Sequence, residues 1–391
     1  MSAPAPNPPQ HSAPVSYSQG QPVALDQAEK ALAALWRQAG EDAAADGSGG
    51  LTRACLWNLV VYQPSESGET RVKKVDGMLA EAAPGVPSRT SRLTTRPAGE
   101  KPAGAGDVQC WVSTLCHVAS GGKRQVSTEE IRLTGYGDAG GKHFPALVRA
   151  LLVPDLPVAL VWLGALPHRG RLLGQLLNLS DRILVDTQTG GGENALTDMK
   201  ALVEETQAYF IDLGWMRLNP VRYLLAGLFD PPGQAELLQK VESLRVEAAP
   251  AGRNTGLLML GWLLSRLGAP SVKVAETGGG SDDWRWNAKP GASGNNGGYA
   301  VEFSVREGEG GHDGLLAVEI RAGGKLFALY QVDALHVALE SPLRNEQRLP
   351  LYGWSDPELL VAGLSGPGTD PLYAEALQSA ARLVEAQAWN R

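Results

Sequence analysis

PVALVWLGALPHRGRLLGQLLNLSDRILVDT, residues 157–187, sets the architecture of this chain. Its two ends, Pro157–Leu163 and Arg182–Thr187, are short, continuously apolar runs, too apolar for strands with one face in water. Between them, Gly170–Leu179 spaces its leucines at helical intervals. Asn194–Gln207 reads as the next helix. Pro220–Phe229 follows with Asn219 as N-cap and Pro220 at the first helical position. Strand and helix in alternation predict a layered α/β fold, with a partly parallel sheet and flanking helices.

The pattern extends in both directions. Upstream, a helix starts at Asp26, with Glu29 completing a capping box and Leu25, Ala28, Leu32, Leu35 and Trp36 on its apolar face. Ala54–Tyr62 is a buried strand, and a helix carries Val72, Val75, Leu79 and Ala82. Strands are expected at Ser88–Thr95, Val108–Val118 and Glu130–Thr134. The glycine-rich stretch 135–141 reads as a loop, ahead of a helix from Phe144 to Leu152. Downstream, Leu257–Leu267 is apolar nearly all round and stops at Gly268, which marks a core helix. Thr277–Gly298 reads as a glycine-rich loop beside Trp284 and Trp286. Tyr299–Arg306, Leu316–Ile320 and Leu326–Val332 alternate in polarity, and Gly323-Gly324 turns the last two into a hairpin. The fold therefore continues as an antiparallel meander, about 299–340, and closes on a C-terminal helix from Asp370-Pro371. The expected division is a disordered tail over 1–24, an N-terminal α/β domain over 25–164 and a C-terminal α/β domain over 165–391.

Composition narrows the function classes. With 35 basic against 42 acidic residues the net charge is −7, which gives no general field for nucleic-acid phosphates. Three cysteines are too few for a disulfide framework and fit a reducing compartment. The most apolar stretch, Leu147–Pro167, is interrupted by Arg149, Asp155 and three prolines, so a spanning helix is excluded there and a cytoplasmic location is expected.

Few residues point to chemistry. Gly135-x-Gly137-x-x-Gly140 and Gly190-x-Gly192-x-x-Ala195 resemble dinucleotide-binding turns, the second with Asp212 about twenty residues on. Flexible turns are the competing reading for both. Asp186, at a strand's carboxyl end, suits either a substrate hydroxyl or a turn cap. Cys110, Cys116 and His117 lie too far apart along a strand to share a metal and read as buried core. The pattern offers no catalytic, metal or cofactor residues, which shifts weight from enzyme to binding or assembly protein.

One segment is distinctive: Asp212-Leu213-Gly214-Trp215-Met216-Arg217-Leu218-Asn219-Pro220-Val221-Arg222, running into LLAGLFDPP. With RACLWNLVVY at 53–62, LLVPDLPVALVW at 151–162 and DRILVDT at 181–187, it resembles the glucose-6-phosphate dehydrogenase assembly protein OpcA family. The chain departs from that pattern at Val86-Pro87-Ser88-Arg89 and at Val221, and it has no cysteine after Cys116. The resemblance implies a non-enzymatic partner of glucose-6-phosphate dehydrogenase that promotes its assembly or activity, without a cofactor of its own. Trp215, Arg217, Pro220 and Arg222 are the partner-binding candidates, against a structural alternative in which Trp215 is core and Arg217 pairs with Asp212. Helical geometry sets Arg222 beside the apolar stripe of Val221, Leu224, Leu225 and Leu228, so its guanidinium is expected at the surface. The runner-up is a Rossmann-like nucleotide- or sugar-phosphate-binding enzyme using Asp186, Gly190 and Gly192.

Overall fold

A computed structural model of the chain describes residues 16–17, 21–45, 52–53, 55–64, 68–118, 124–166, 170–188, 192, 194–269, 271–275, 282–289, 298–308 and 312–388. The fold is mixed α/β, with ten α-helices and two large mixed sheets among the described residues. It divides into two units, residues 1–161 with 171–181, and residues 162–170 with 182–391.

The first unit contains β1 (Ser16–Tyr17), β2 (Gln21–Val23), α1 (Ala28–Ala45), β3 (Thr52–Arg53), β4 (Trp57–Pro64), α2 (Gly68–Ala82) and β5 (Ser88–Arg96). It continues through β6 (Val108–Val118), β7 (Arg124–Tyr136), α3 (Gly137–Leu151), β8 (Val158–Trp162) and α4 (Arg171–Leu177). Strands β7, β5 and β4 lie side by side and parallel, β6 runs antiparallel to β7, and β8 borders β4 on its other side. Continuous burial along β4, from Asn58 to Gln63, accounts for its unbroken apolar sequence. Within the segment expected to be disordered, β1 and β2 pair with β6.

Two further expectations change here. Glu29 does not close a capping box; its carboxylate binds Arg89 Nη1 at 2.5 Å, and Arg89 Nε reaches Glu129 at 2.8 Å. Arg89, from the Val86–Arg89 departure, is thus a buried ion-pair centre, with Glu129 and Glu29 outweighing the burial that opposes its charge. The glycines 135–141 are no flexible loop either. Helix α3 begins at Gly137, where φ is +62°, and Gly140 and Gly141 are buried. Tertiary packing there overrides glycine's poor helix propensity. Cys110 is buried, as expected, and burial pushes its thiol up to about 11. The side chains of Cys116 and His117 fall outside the described residues.

The second unit opens with β9 (Arg182–Val185), α5 (Ala195–Glu205), β10 (Tyr209–Asp212), α6 (Leu213–Arg217) and α7 (Asn219–Gly227). Then come β11 (Val241–Ala248), α8 (Arg253–Arg266), β12 (Ser271–Val274), β13 (Asp283–Lys289) and β14 (Tyr299–Val305). The final elements are β15 (Leu315–Ala322), β16 (Lys325–Asp333), β17 (His336–Ser341), β18 (Arg344–Pro350), α9 (Asp356–Ser365) and α10 (Pro371–Ala388). Strands β9 and β10 are parallel. The eight-stranded sheet has the order β12-β13-β14-β11-β15-β16-β17-β18.

The meander is real from β15 to β18, with Gly323 and Gly324 at φ +59° and +71° making the first hairpin. It excludes β14, however. β11 lies between β14 and β15 and pairs parallel to β14. The expected loop around Trp284 and Trp286 is in part strand β13, whose alternate residues Trp284, Trp286 and Ala288 are buried. Helix α8 is core along most of its length, and a methyl on Gly261 would come within 2.2 Å of Ala376 O of α10.

Candidate functional site

The segment 212–222 occupies the carboxyl ends of β9 and β10, all within the second unit. Parallel pairing sets Asp212 beside Val185, so the residues that follow each strand meet. Asp212 caps α6, accepting from Gly214 N at 2.9 Å, and its carboxylate also accepts from Thr187 N and Thr187 Oγ1 at 3.1 and 2.9–3.0 Å. Only glycine fits at 214, because a methyl there would lie 2.3 Å from Thr187 Oγ1. Despite three donors, burial dominates and pushes Asp212 up to about 6, with the nearby Asp186 adding to the rise. The buried Tyr373 hydroxyl faces the same carboxylate without an aligned hydrogen bond, and burial raises its pKa well above the ordinary range.

Arg217 leaves α6 toward two acids. Its guanidinium grips Asp186 with both terminal nitrogens, at 2.7 and 3.1 Å, and Nη2 reaches Asp356 at 2.7 Å. Burial opposes the arginine's charge, but the two carboxylates overcome it and hold the pKa above its ordinary value. Asp186 also accepts from Gln188 N at 3.1 Å, so it is a turn cap and an ion-pair partner at once. Asp356 stands in the first turn of α9, behind the capping box of Ser355 and Glu358.

Trp215 is buried, donates Nε1 to Asp370 Oδ2 at 2.9 Å and packs against the Tyr373 ring. Arg222 lies over its indole, with Cζ 3.4 Å from the ring centroid, and donates to Asn219 Oδ1. Its exposure is 8%, its Nε has no partner, and burial lowers its pKa to about 10. Beside these groups opens a cleft of about 540 Å³, bordered by Phe210, Trp215, Trp354, Gly368, Asp370 and Tyr373. Its polar groups are largely committed to one another. The arrangement is an aromatic recess on a rigid ion-paired frame, suited to binding, and it pairs no nucleophile with a base.

Two family models account for most of this chain. Residues 80–204 match the glucose-6-phosphate dehydrogenase subunit N-terminal domain, and residues 208–377 match the C-terminal domain of the same description. The chain belongs to the OpcA family of glucose-6-phosphate dehydrogenase assembly proteins. The OxPP cycle protein OpcA of Synechocystis sp. is 28% identical over 162 residues, 41% of this chain and 34% of that protein. The OpcA of Synechococcus elongatus is 29% identical over 196 residues, 49% of this chain and 42% of the relative. The matches thus span well under half of these curated relatives. Among solved structures, a levoglucosan dehydrogenase in complex with NADH and L-sorbose aligns at TM-score 0.45 and 11% identity, covering 85% of this chain and 97% of that one. An oxidoreductase from Sinorhizobium meliloti gives 0.47 and 10%, covering 86% and 98%.

The site of this OpcA-family chain brings together only part of what the sequence singled out. Asp186, Trp215, Arg217 and Arg222 come together, but not as expected. Arg217 pairs with Asp186 and Asp356, not Asp212. Arg222 is buried rather than at the surface, because its charge is drawn over Trp215 while Tyr223, 81% exposed, takes the outward position. The helix starts one residue early, with Leu218 before it, so Asn219 serves Arg222 instead of capping the backbone. Pro220 is half-buried in the first turn. Of the dinucleotide-like turn, Gly192 is exposed and Asp212 caps α6, while Gly190 lies outside the described residues. Asp356, Asp370 and Tyr373 were missed as site residues. Ser-Asp-Pro-Glu at 355–358 is a readable helix start, but nothing local ties it to Arg217, which is 139 residues away.

No group of three or more potential metal ligands occurs among the described residues. No described helix is long and apolar enough to cross a membrane.

Proposed function

We propose that this chain is a non-catalytic assembly factor and activator of glucose-6-phosphate dehydrogenase, acting in the cytoplasm. The observation that carries this reading is the match of both halves, over 80–204 and 208–377, to domains described as subunits of that enzyme. The relatives' naming for the OxPP cycle agrees with it. The chemistry of the candidate site is compatible, since its acids are tied to Arg217, Trp215 and backbone donors. An activator works by binding the active oligomer of its partner better than the inactive one, and its effect is bounded by that difference. In this reading Trp215 and Arg222 shape the surface from beneath. Tyr223, Asn219, Pro220 and the half-buried Arg217 are among the parts left for a partner to touch.

The test is to add purified chain to the dehydrogenase and follow its activity and sedimentation. A rise in activity or a shift in oligomer distribution is expected, weakened by Tyr223→Ala. Unchanged activity and sedimentation at saturating amounts would refute the function.

A further inference from the structure

A second recess lies wholly in the first unit, of about 480 Å³, and the proposed function makes no use of it. It opens at the carboxyl ends of β4, β5 and β7, where Tyr62, Thr95 and Arg96 meet the start of α3. β4 is bordered by β5, which follows it in the chain, on one side and by β8, reached later through α3, on the other, so the strand order reverses at β4. A crevice outside the carboxyl ends of such strands is where open α/β sheets place their ligands.

The lining is charged in one sense. Lys142, Arg171 and Arg96 contribute cations, against Asp138 alone. Arg96 makes a loose, exposed pair with Glu100 at 3.4 Å. Among the described residues Lys142 and Arg171 form no ion pair. In a chain of net charge −7, three cations around one recess are not explained by composition. No side chain caps the amino end of α3, so its first-turn N–H groups add to the positive field. The glycines give the turn its shape. A methyl on Gly135 would lie 2.8 Å from Gly140 C, and one on Gly140 would lie 2.6 Å from Asp107 O. Gly137, at φ +62°, and Gly141 border the recess itself.

We propose that this recess binds a small phosphorylated metabolite, with the phosphate held by Lys142, Arg171 and Arg96. Guanidinium forks and an ammonium are the usual donors to phosphate oxygens, and the volume suits a small organic phosphate. The Tyr62 hydroxyl, 3.2 Å from Thr95 Oγ1, offers a polar contact for the remainder of such a ligand.

The experiment is calorimetric titration of the full chain with inorganic pyrophosphate, with citrate as a carboxylate control. Wild type should bind pyrophosphate saturably. Lys142→Ala and Arg171→Ala should each weaken binding at least about tenfold, as expected for loss of a charge-assisted contact. Arg149→Ala, in the last turn of the same helix, should stay within about twofold. All three side chains are exposed, and a thermal melt of each variant confirms folding; if Lys142→Ala or Arg171→Ala fails to fold, the other decides. Absence of saturable binding by folded wild type would overturn the proposal. So would citrate binding as tightly as pyrophosphate, or equal losses in Arg149→Ala.

Discussion

Asp212→Asn isolates the cost of burying one charge. The carboxyl has a pKa of about 6 in the folded chain, against 3.8 when unperturbed, and burial is the main cause. Because the folded state holds this proton more tightly, the contribution of Asp212 to stability is most favourable below pH 3.8 and falls as pH rises toward 6. Above that the penalty is constant. The rise from 3.8 to about 6 corresponds to about 3 kcal/mol in all, roughly half of it lost between pH 5 and pH 7.5. Asparagine keeps the oxygen that accepts from Thr187 N and Gly214 N, remains a good N-cap, and cannot ionise. The variant should therefore gain on wild type as pH rises, by about 1–2 kcal/mol between pH 5 and pH 7.5. Urea unfolding followed by tryptophan fluorescence at those two pH values measures it. A stability difference that is flat with pH, or an asparagine variant clearly weaker at pH 7.5, would show that the three hydrogen bonds and not burial govern this carboxylate.

Arg222→Ala should cost about 2 kcal/mol in urea unfolding, through lost packing on Trp215, whereas Arg222→Met should cost less than half of that because it also removes a desolvated charge. Arg217→Ala leaves Asp186 and Asp356 facing each other's site without a cation and should cost about 2 kcal/mol; Arg217→Lys should not recover it in the same assay, since one ammonium cannot reproduce the fork. Gly261→Ala forces α8 from α10 and should lower stability by at least about 1–3 kcal/mol, read as a clear fall in melting temperature. Cys110, buried and with its thiol pushed up to about 11, should stay unmodified by iodoacetamide at pH 8 in the folded chain and react once urea unfolds it, as peptide mass mapping will show.

The parts of the fold that local pattern can encode were readable in advance. β8 and β9 announced themselves as unbroken apolar runs, and Gly323-Gly324 announced the β15–β16 hairpin. What pattern cannot encode is partnership over distance. β11 alternates in burial, yet its place between β14 and β15 depends on strands more than fifty residues away. β13 was hidden by the glycines around it, although Trp284, Trp286 and Ala288 carry the period of a strand. At the candidate site the segment was recognisable, but its wiring was not. An angle on a helical wheel puts Arg222 beside the core stripe; only Trp215 and Asn219 in space show why it turns inward. Asp186 was half-read, as a turn cap without its arginine.

The reach of Arg217 and Trp215 fixes when this part of the chain can finish folding. Their partners Asp356 and Asp370 lie 139 and 155 residues downstream. At about 5–20 residues per second of synthesis, the segment 212–222 waits on the order of ten seconds or more after leaving the ribosome before those acids exist to meet it. Until then Arg217 has Asp186 but not its second acid, and Trp215 lacks its acceptor and the Tyr373 ring. Shortening the chain to end before α9 would make that interim state permanent, so the β9–β10 pair and the last two helices form a single unit of biogenesis.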